Sequence, residues 1–372
     1  MRRIIVVLIA LVATFSASAQ EVKNIIFLIG DGMGLASATM MQLENNYEET
    51  IFDRAENIAL QKTYSADNRV TDSAASGTAL ATGYKTNNTY LGVLADGTAV
   101  ESLMDVAKCE GKRTGVVVTT YLQHATPAAF YAHVASRHEY LVISEQLLNS
   151  SLDVAIGGGL AFFEELYGDA VAERLAAQGF ALAETLDEVQ NISADSRVMA
   201  LVADKEVEVR NDGYLADATR EALRRLDSEE GFVLMVEGSI IDGMGHANDA
   251  QAQQREMRSF MEAMEVAVEY ASQRDDTLVV VTGDHETGGL SIVSCDADFC
   301  LSEQGVEYKW TTKGHSGVML PIYLYGTGAE KIIHGSEDVD DVASAFFKNV
   351  FPVIRQHTIL PSLTRSNPVL QL

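Results

Sequence analysis

The chain has 372 residues, 47 % of them hydrophobic, with 27 basic against 53 acidic side chains and a formal net charge of −26. That length supports a large core, as one big α/β domain or two smaller ones, while the charge argues against binding nucleic-acid backbones or anionic membranes. Three cysteines, Cys109, Cys295 and Cys300, are too few for a disulfide scaffold.

Residues 1–19 read apart from the rest. Arg2 and Arg3 precede the apolar run Ile4 to Val12, and small residues follow to Ala17-Ser18-Ala19. This order predicts a secretory signal peptide cut after Ala19, because the apolar run is short for a bilayer span. The expected destination is the periplasm or the extracellular space. Residues 20–372 carry no repeat or low-complexity linker and are expected to form one catalytic domain.

Short apolar runs at Asn24 to Ile29, Thr114 to Val118, Phe232 to Val236, Thr277 to Val281 and Val318 to Tyr325 predict buried strands. Between two of them, Met257, Phe260, Met261, Met264, Val268 and Ala271 recur at helical spacing, so their methionines are core rather than cofactor contacts. The alternation predicts an α/β fold: a single large domain with a central, mostly parallel sheet flanked by helices on both faces. Cys295 and Cys300 are spaced for a small-loop disulfide in an oxidising compartment, with free thiols equally open. From about residue 351, three of the five prolines predict an irregular tail.

Ligands of open parallel sheets bind beyond the carboxyl ends of the strands. Asp31 follows the first strand, Glu237 the Phe232 strand, and Asp284-His285 the Thr277 strand. The turn Gly30-Asp31-Gly32-Met33-Gly34 has the wrong spacing for a dinucleotide loop, and its carboxylate would repel a pyrophosphate. In Thr71-Asp72-Ser73-Ala74-Ala75-Ser76-Gly77, a helix is expected to start near Ser73, with a hydroxyl at its positive end. Taken alone, Asp72 or Ser73 would be an ordinary cap. His124, Thr126 and Arg137 follow in one segment, and Asp242 and His246 are spaced to meet one ion from a single helical turn. His315 lies in a glycine-flanked turn.

These five segments, in this order from Asp31 to His315, resemble bacterial alkaline phosphatases across nearly the whole mature chain. The resemblance implies hydrolysis of phosphate monoesters at alkaline pH, with Ser73 transiently phosphorylated and Arg137 gripping the phosphate oxygens. It implies two zinc ions, one on Asp242, His246 and His315 and one on Asp31, Asp284 and His285. It also implies one magnesium on Asp31, Thr126 and Glu237. Imidazole with carboxylate suits zinc and an all-oxygen set suits magnesium. Inorganic phosphate is the implied product, the substrate range is expected to be broad, and a homodimer is implied.

Just outside the ligands stand His124, Asp72 and Gly243. Asp72 is expected to orient Arg137 or cap the helix. His124 and Gly243 replace an Asp and a Lys of the enterobacterial pattern, from which weaker phosphate retention and looser magnesium binding are expected. His133 is expected to pack or cap on a helix following Pro127, and His138, His334 and His357 to lie at the surface. The competing readings are a phosphodiesterase or phosphonate hydrolase of the same superfamily, and a non-catalytic exported metal-binding protein. A sulfatase is disfavoured because the chain has no Cys-x-Pro-x-Arg segment.

Overall fold

A computed structural model describes residues 22–207, 213–295, 305–331 and 336–338. The signal segment, the tail, Cys300, His334 and His357 lie outside these, and with them the disulfide question. The strands run β1 (Asn24–Gly30), β2 (Asn57–Lys62), β3 (Arg113–Tyr121), β4 (Val154–Gly158), β5 (Phe180–Ala183), β6 (Arg197–Leu201), β7 (Phe232–Gly238) and β8 (Thr277–Gly283). They continue with β9 (Glu286–Thr287), β10 (Leu290–Ser294), β11 (Val306–Trp310), β12 (His315–Ser316), β13 (Leu320–Gly326) and β14 (Ser336–Asp338).

Ten of them form one sheet, ordered β14-β2-β13-β8-β1-β7-β3-β4-β6-β5. All its pairings are parallel except those of β13, which runs antiparallel to both β8 and β2. The expected strand at Val318 therefore begins two residues later, and Val318 and Met319 stay exposed.

The central strands are apolar throughout because both faces are covered. Along β1, Ile25, Phe27 and Ile29 belong to one core cluster while Ile26 and Leu28 belong to the other. The predicted amphipathic helix spans Ala250–Ser272 and buries Met257, Phe260, Met264, Val268 and Ala271 against the second face. Each fully buried Phe or Met side chain there contributes roughly 1.5–3 kcal/mol.

Register then fixes where the chemistry can sit. Ile29 pairs with Glu237, and Gly30 with both Gly238 and Gly283. Asp31 and Asp284 consequently emerge level at the carboxyl edge, while Glu237, expected just after its strand, lies within β7 one residue before its end. No described helix is long and apolar enough to cross a membrane.

Candidate active site

Ser73 opens a helix, Ser73–Thr82, and is 2 % exposed. Asp72 caps it: one carboxylate oxygen accepts from Ala75 N at 3.0 Å, and the other accepts from an Arg137 guanidinium nitrogen at 3.1 Å. Both roles expected of Asp72 are thus met by one side chain. The run of tiny residues has a packing reason. A Cβ on Gly77 would lie 3.3 Å from Thr126 Cα and 3.2 Å from Ala129 Cβ, so the helix presses directly on the Thr126 segment.

The tight turn after β1 is similarly dictated. Gly32 has φ +76°, and a Cβ there would come within 2.7 Å of Asp242 Cα. Only glycine fits such a φ without strain and lets Asp31 and Asp242 approach across bare backbone. Gly32 N–H in turn donates to Asp284 Oδ1 at 3.0 Å.

Three groups of ligand-type atoms result: Asp242 with His285 and His315; Asp31 with Asp284 and His285; Asp31 with His124 and Glu237. His285 Nε2 lies 3.1 Å from Ser73 Oγ, 3.2 Å from Asp284 Oδ2 and 3.5 Å from Asp31 Oδ1. The His285 and His315 rings stack with centroids 3.5 Å apart. His246 Nε2 is 3.3 Å from Asp242 Oδ2 and His315 Nε2 is 3.6 Å from Asp242 Oδ1. His246, expected as a ligand with Asp242 and His315, lies just outside this group, in reach of Asp242, while His285 completes it. Thr126 Oγ1 donates to Asp31 Oδ2 at 3.3 Å.

His124 stands between the third group and Arg137. Its Nδ1 is 3.9 Å from Asp31 Oδ2, while its Nε2 is 3.2 Å from an Arg137 nitrogen. It therefore bridges the third group and the arginine. Gly243 is exposed on the helix Ile240–Ala247, and a Cβ there would meet only Ile240 Cγ2 at 3.9 Å.

The electrostatics of this cluster call for cations. Burial, reinforced by Asp284, Asp242 and Glu237, raises the Asp31 carboxyl well above its usual range. Burial likewise pushes Glu237 up to about 8 and Asp284 to about 6. Burial opposes ionisation of Asp242 too, but the hydrogen bonds from His246 and Thr287 and the nearby His285 together hold it low, and the His246 bond raises that imidazole to about 9. Burial and Arg137 depress His124 to about 3, and burial with His315 depresses His285 well below its ordinary value.

Asp31 Oδ1, Asp284 Oδ2, both Glu237 oxygens and His124 Nδ1 are buried without a hydrogen-bond partner among the described residues. Such atoms cost about 1–3 kcal/mol each when left unsatisfied, and bound cations are the natural relief. The donor types fit: two imidazole–carboxylate groups suit zinc, and a group rich in carboxylate oxygen suits a harder ion.

Supporting contacts set the imidazoles in orientation. His315 Nδ1 is 2.9 Å from Thr71 O, His246 Nδ1 is hydrogen-bonded to Lys313 O, and Thr287 Oγ1 donates to Asp242. Carbonyl partners of this kind turn the Nε2 atoms toward the carboxylate. None of these three had been singled out from sequence: backbone carbonyls carry no residue signature, and Thr287 reads as an ordinary strand residue.

His133 is half-buried, its Nδ1 2.8 Å from Gly92 O. It is packed as expected, but the helix ends at Ala128, because Val134 pairs with Leu91 in both directions and draws the chain into an extended path. His138 is exposed.

Fold and site together define an α/β protein with a candidate multinuclear metal centre at the carboxyl edge of a parallel sheet. The family model described as alkaline phosphatase matches residues 22–303. The chain belongs to the alkaline phosphatase family. It is 38 % identical to "Alkaline phosphatase 3" of Bacillus subtilis over 73 % of its own length and 63 % of that protein's, so it spans less than two thirds of that relative. It is 32 % identical to the Escherichia coli alkaline phosphatase over 87 % of this chain and 85 % of that one. The structure of the alkaline phosphatase from the Antarctic bacterium TAB5 superposes with a TM-score of 0.82 at 33 % identity, covering 89 % of this chain and 98 % of the other. A variant of the TAB5 protein has been solved with magnesium in its M3 site.

Proposed function

We propose that this chain hydrolyses phosphate monoesters at alkaline pH through a phosphoserine, with broad tolerance of the alcohol. The observation that carries the reading is a buried serine at a helix head, 3.1 Å from a histidine of the densest ligand group. The guanidinium of Arg137 lies beside it, held by Asp72.

Ser73 Oγ attacks phosphorus, the ester P–O bond breaks, and the alcohol leaves with a proton. Water then attacks the phosphoserine, freeing Ser73 and inorganic phosphate. Arg137 presents a planar fork to two phosphate oxygens, a geometry that lysine cannot copy. The helix dipole places positive potential under the same oxygens. Asp242, His246 and His315 would hold one zinc; Asp31, Asp284 and His285 a second; Asp31, Thr126 and Glu237, with His124 beside them, a magnesium. Bound together, such ions supply activation of the nucleophile and neutralisation of the leaving oxygen.

The protein acts as an exported homodimer in the periplasm or outside the cell, in keeping with its leader sequence and its resemblance. Ser73→Ala is the direct test. It should abolish turnover of an aryl phosphate while zinc content stays at the wild-type level. Wild-type protein, fully zinc-loaded, that turned over a bis-aryl phosphate faster than an aryl phosphate, or neither of them, would overturn the reading.

A further inference from the structure

The phosphate-gripping arginine and the ligand groups account for recognition of the phosphoryl end of a substrate. They leave the leaving-group side unexplained, and two features of the rim bear on it. Both are tied through backbone contacts to the Asp242, His246 and His315 cluster, the group that would neutralise the leaving oxygen under the proposed reaction.

The first is Arg69. It lies two residues before Thr71, whose carbonyl receives His315 Nδ1 at 2.9 Å. Its backbone packs on the loop beyond that histidine: a Cβ built on Gly317 would lie 3.4 Å from Arg69 O. The second is Lys313, two residues before His315, with its own carbonyl hydrogen-bonded to His246 Nδ1. Both residues are exposed, and neither side chain has an ion-pair or hydrogen-bond partner among the described residues.

Among the described residues, many other cations are engaged. Arg54, Lys108, Arg137, Arg220, Arg224, Arg225 and Arg274 all sit on carboxylates. In a chain of 53 acidic against 27 basic residues, an unpaired arginine and an unpaired lysine lie in the two loops that hold His315 and His246. An anionic substrate approaches against a strongly negative net charge, and local positive potential at the mouth of a cleft is what would steer and retain it.

We propose that Arg69 and Lys313 form a leaving-group subsite for a second anionic group, favouring monoesters whose alcohol itself carries a phosphate. The proposal rests on the phosphomonoesterase reading and adds a preference to it. The reaction is unchanged: the same ester P–O bond breaks, and the second phosphate is recognised without being cleaved. Arg69 offers a planar fork and Lys313 a point charge on a flexible stem, so the pair can accept a phosphate at more than one distance from the ester. Both contacts are solvent-exposed. Each is therefore expected to contribute a few-fold in specificity, and the two together roughly tenfold, with strong dependence on salt.

The test compares two substrates with the same alkyl chain, n-propyl phosphate and its counterpart with a phosphate on the far carbon. Holoenzyme is used throughout, as wild type, Arg69→Gln, Lys313→Gln and the double variant. The expected result is a fall of about tenfold in kcat/KM for the bisphosphate in the double variant, carried by KM. The propyl ester should change less than twofold. Arg69→Lys should recover part of the loss, and raised salt should erase the wild-type preference.

An equal loss on both substrates would mean that the residues merely support the histidine loops, and would overturn the proposal. So would an unchanged ratio of the two specificity constants. Absence of turnover on either ester by the wild-type holoenzyme would instead sink the phosphomonoesterase reading itself, so the two failures are distinguishable.

Discussion

Asp72 ties the Ser73 helix to Arg137, and its substitution separates these two contacts. One oxygen accepts from Ala75 N and also from Thr89 N at 3.1 Å; the other faces Arg137, with both side chains of the ion pair 17 % exposed. Asparagine keeps an acceptor for the amides and loses only the charge opposite Arg137. A hydrogen bond to a charged partner contributes roughly 1.5–3 kcal/mol, and partial exposure points to the lower end, about 1.5 kcal/mol. Alanine removes the cap as well, worth about 1 kcal/mol, and leaves Thr89 N without its acceptor, for a total of about 3 kcal/mol. Urea unfolding at fixed zinc and magnesium, read as midpoint shifts at constant slope, should rank wild type above Asp72→Asn above Asp72→Ala. In both variants Arg137 loses its anchor, so the inhibition constant for inorganic phosphate should rise several-fold. If Asp72→Asn were as unstable as Asp72→Ala, or as stable as wild type, this division of labour would be wrong.

Chelation should expose the strain among the buried carboxylates. Glu237 and Asp284, raised to about 8 and about 6, hold protons in the folded chain that the unfolded chain has already released near pH 4–5. Each therefore makes the chelated protein less stable as pH rises through that window. The Tm of chelated protein should fall from pH 5 to pH 9, and added zinc should restore most of it at pH 9; a flat profile would contradict the assignment. Gly243→Lys has open space for its side chain and should tighten inhibition by phosphate, measured at one pH; unchanged inhibition would remove Gly243 as a determinant of product release. Against the close contact of the Ser73 helix with Thr126, Gly77→Ala should be near neutral, since gained helix propensity offsets a small clash. Gly77→Val should cost about 1–3 kcal/mol by overpacking, and equal stability of the two variants in urea would refute that contact.

The central strands and the long amphipathic helix were legible because their apolar patterns are continuous and unambiguous. The shared rim was legible because parallel register brings strand ends level, which places Asp31, Glu237 and Asp284 together at the carboxyl edge. What escaped depended on partners distant in sequence. The antiparallel insertion of β13 between β8 and β2 leaves no trace in its own residues. The helix expected to reach His133 stops early because Leu91 captures Val134. The sequence placed His124 beside the ligands, but not that its ring spans Asp31 and Arg137, a contact that depends on Arg137 thirteen residues away.

The close approach at Gly32 has a further consequence. Asp31 and Asp242 serve different ligand groups, and the distance between those groups is set where the bare backbone of one turn meets the backbone of another helix. The spacing is thus gauged by main-chain atoms rather than by the reach of side chains. Two ligand groups held by such a ruler form a fixed frame. Divergence within this architecture is then channelled to the residues around the frame, such as Arg69, His124, Gly243 and Lys313, which can alter what is bound and released while the frame keeps its dimensions.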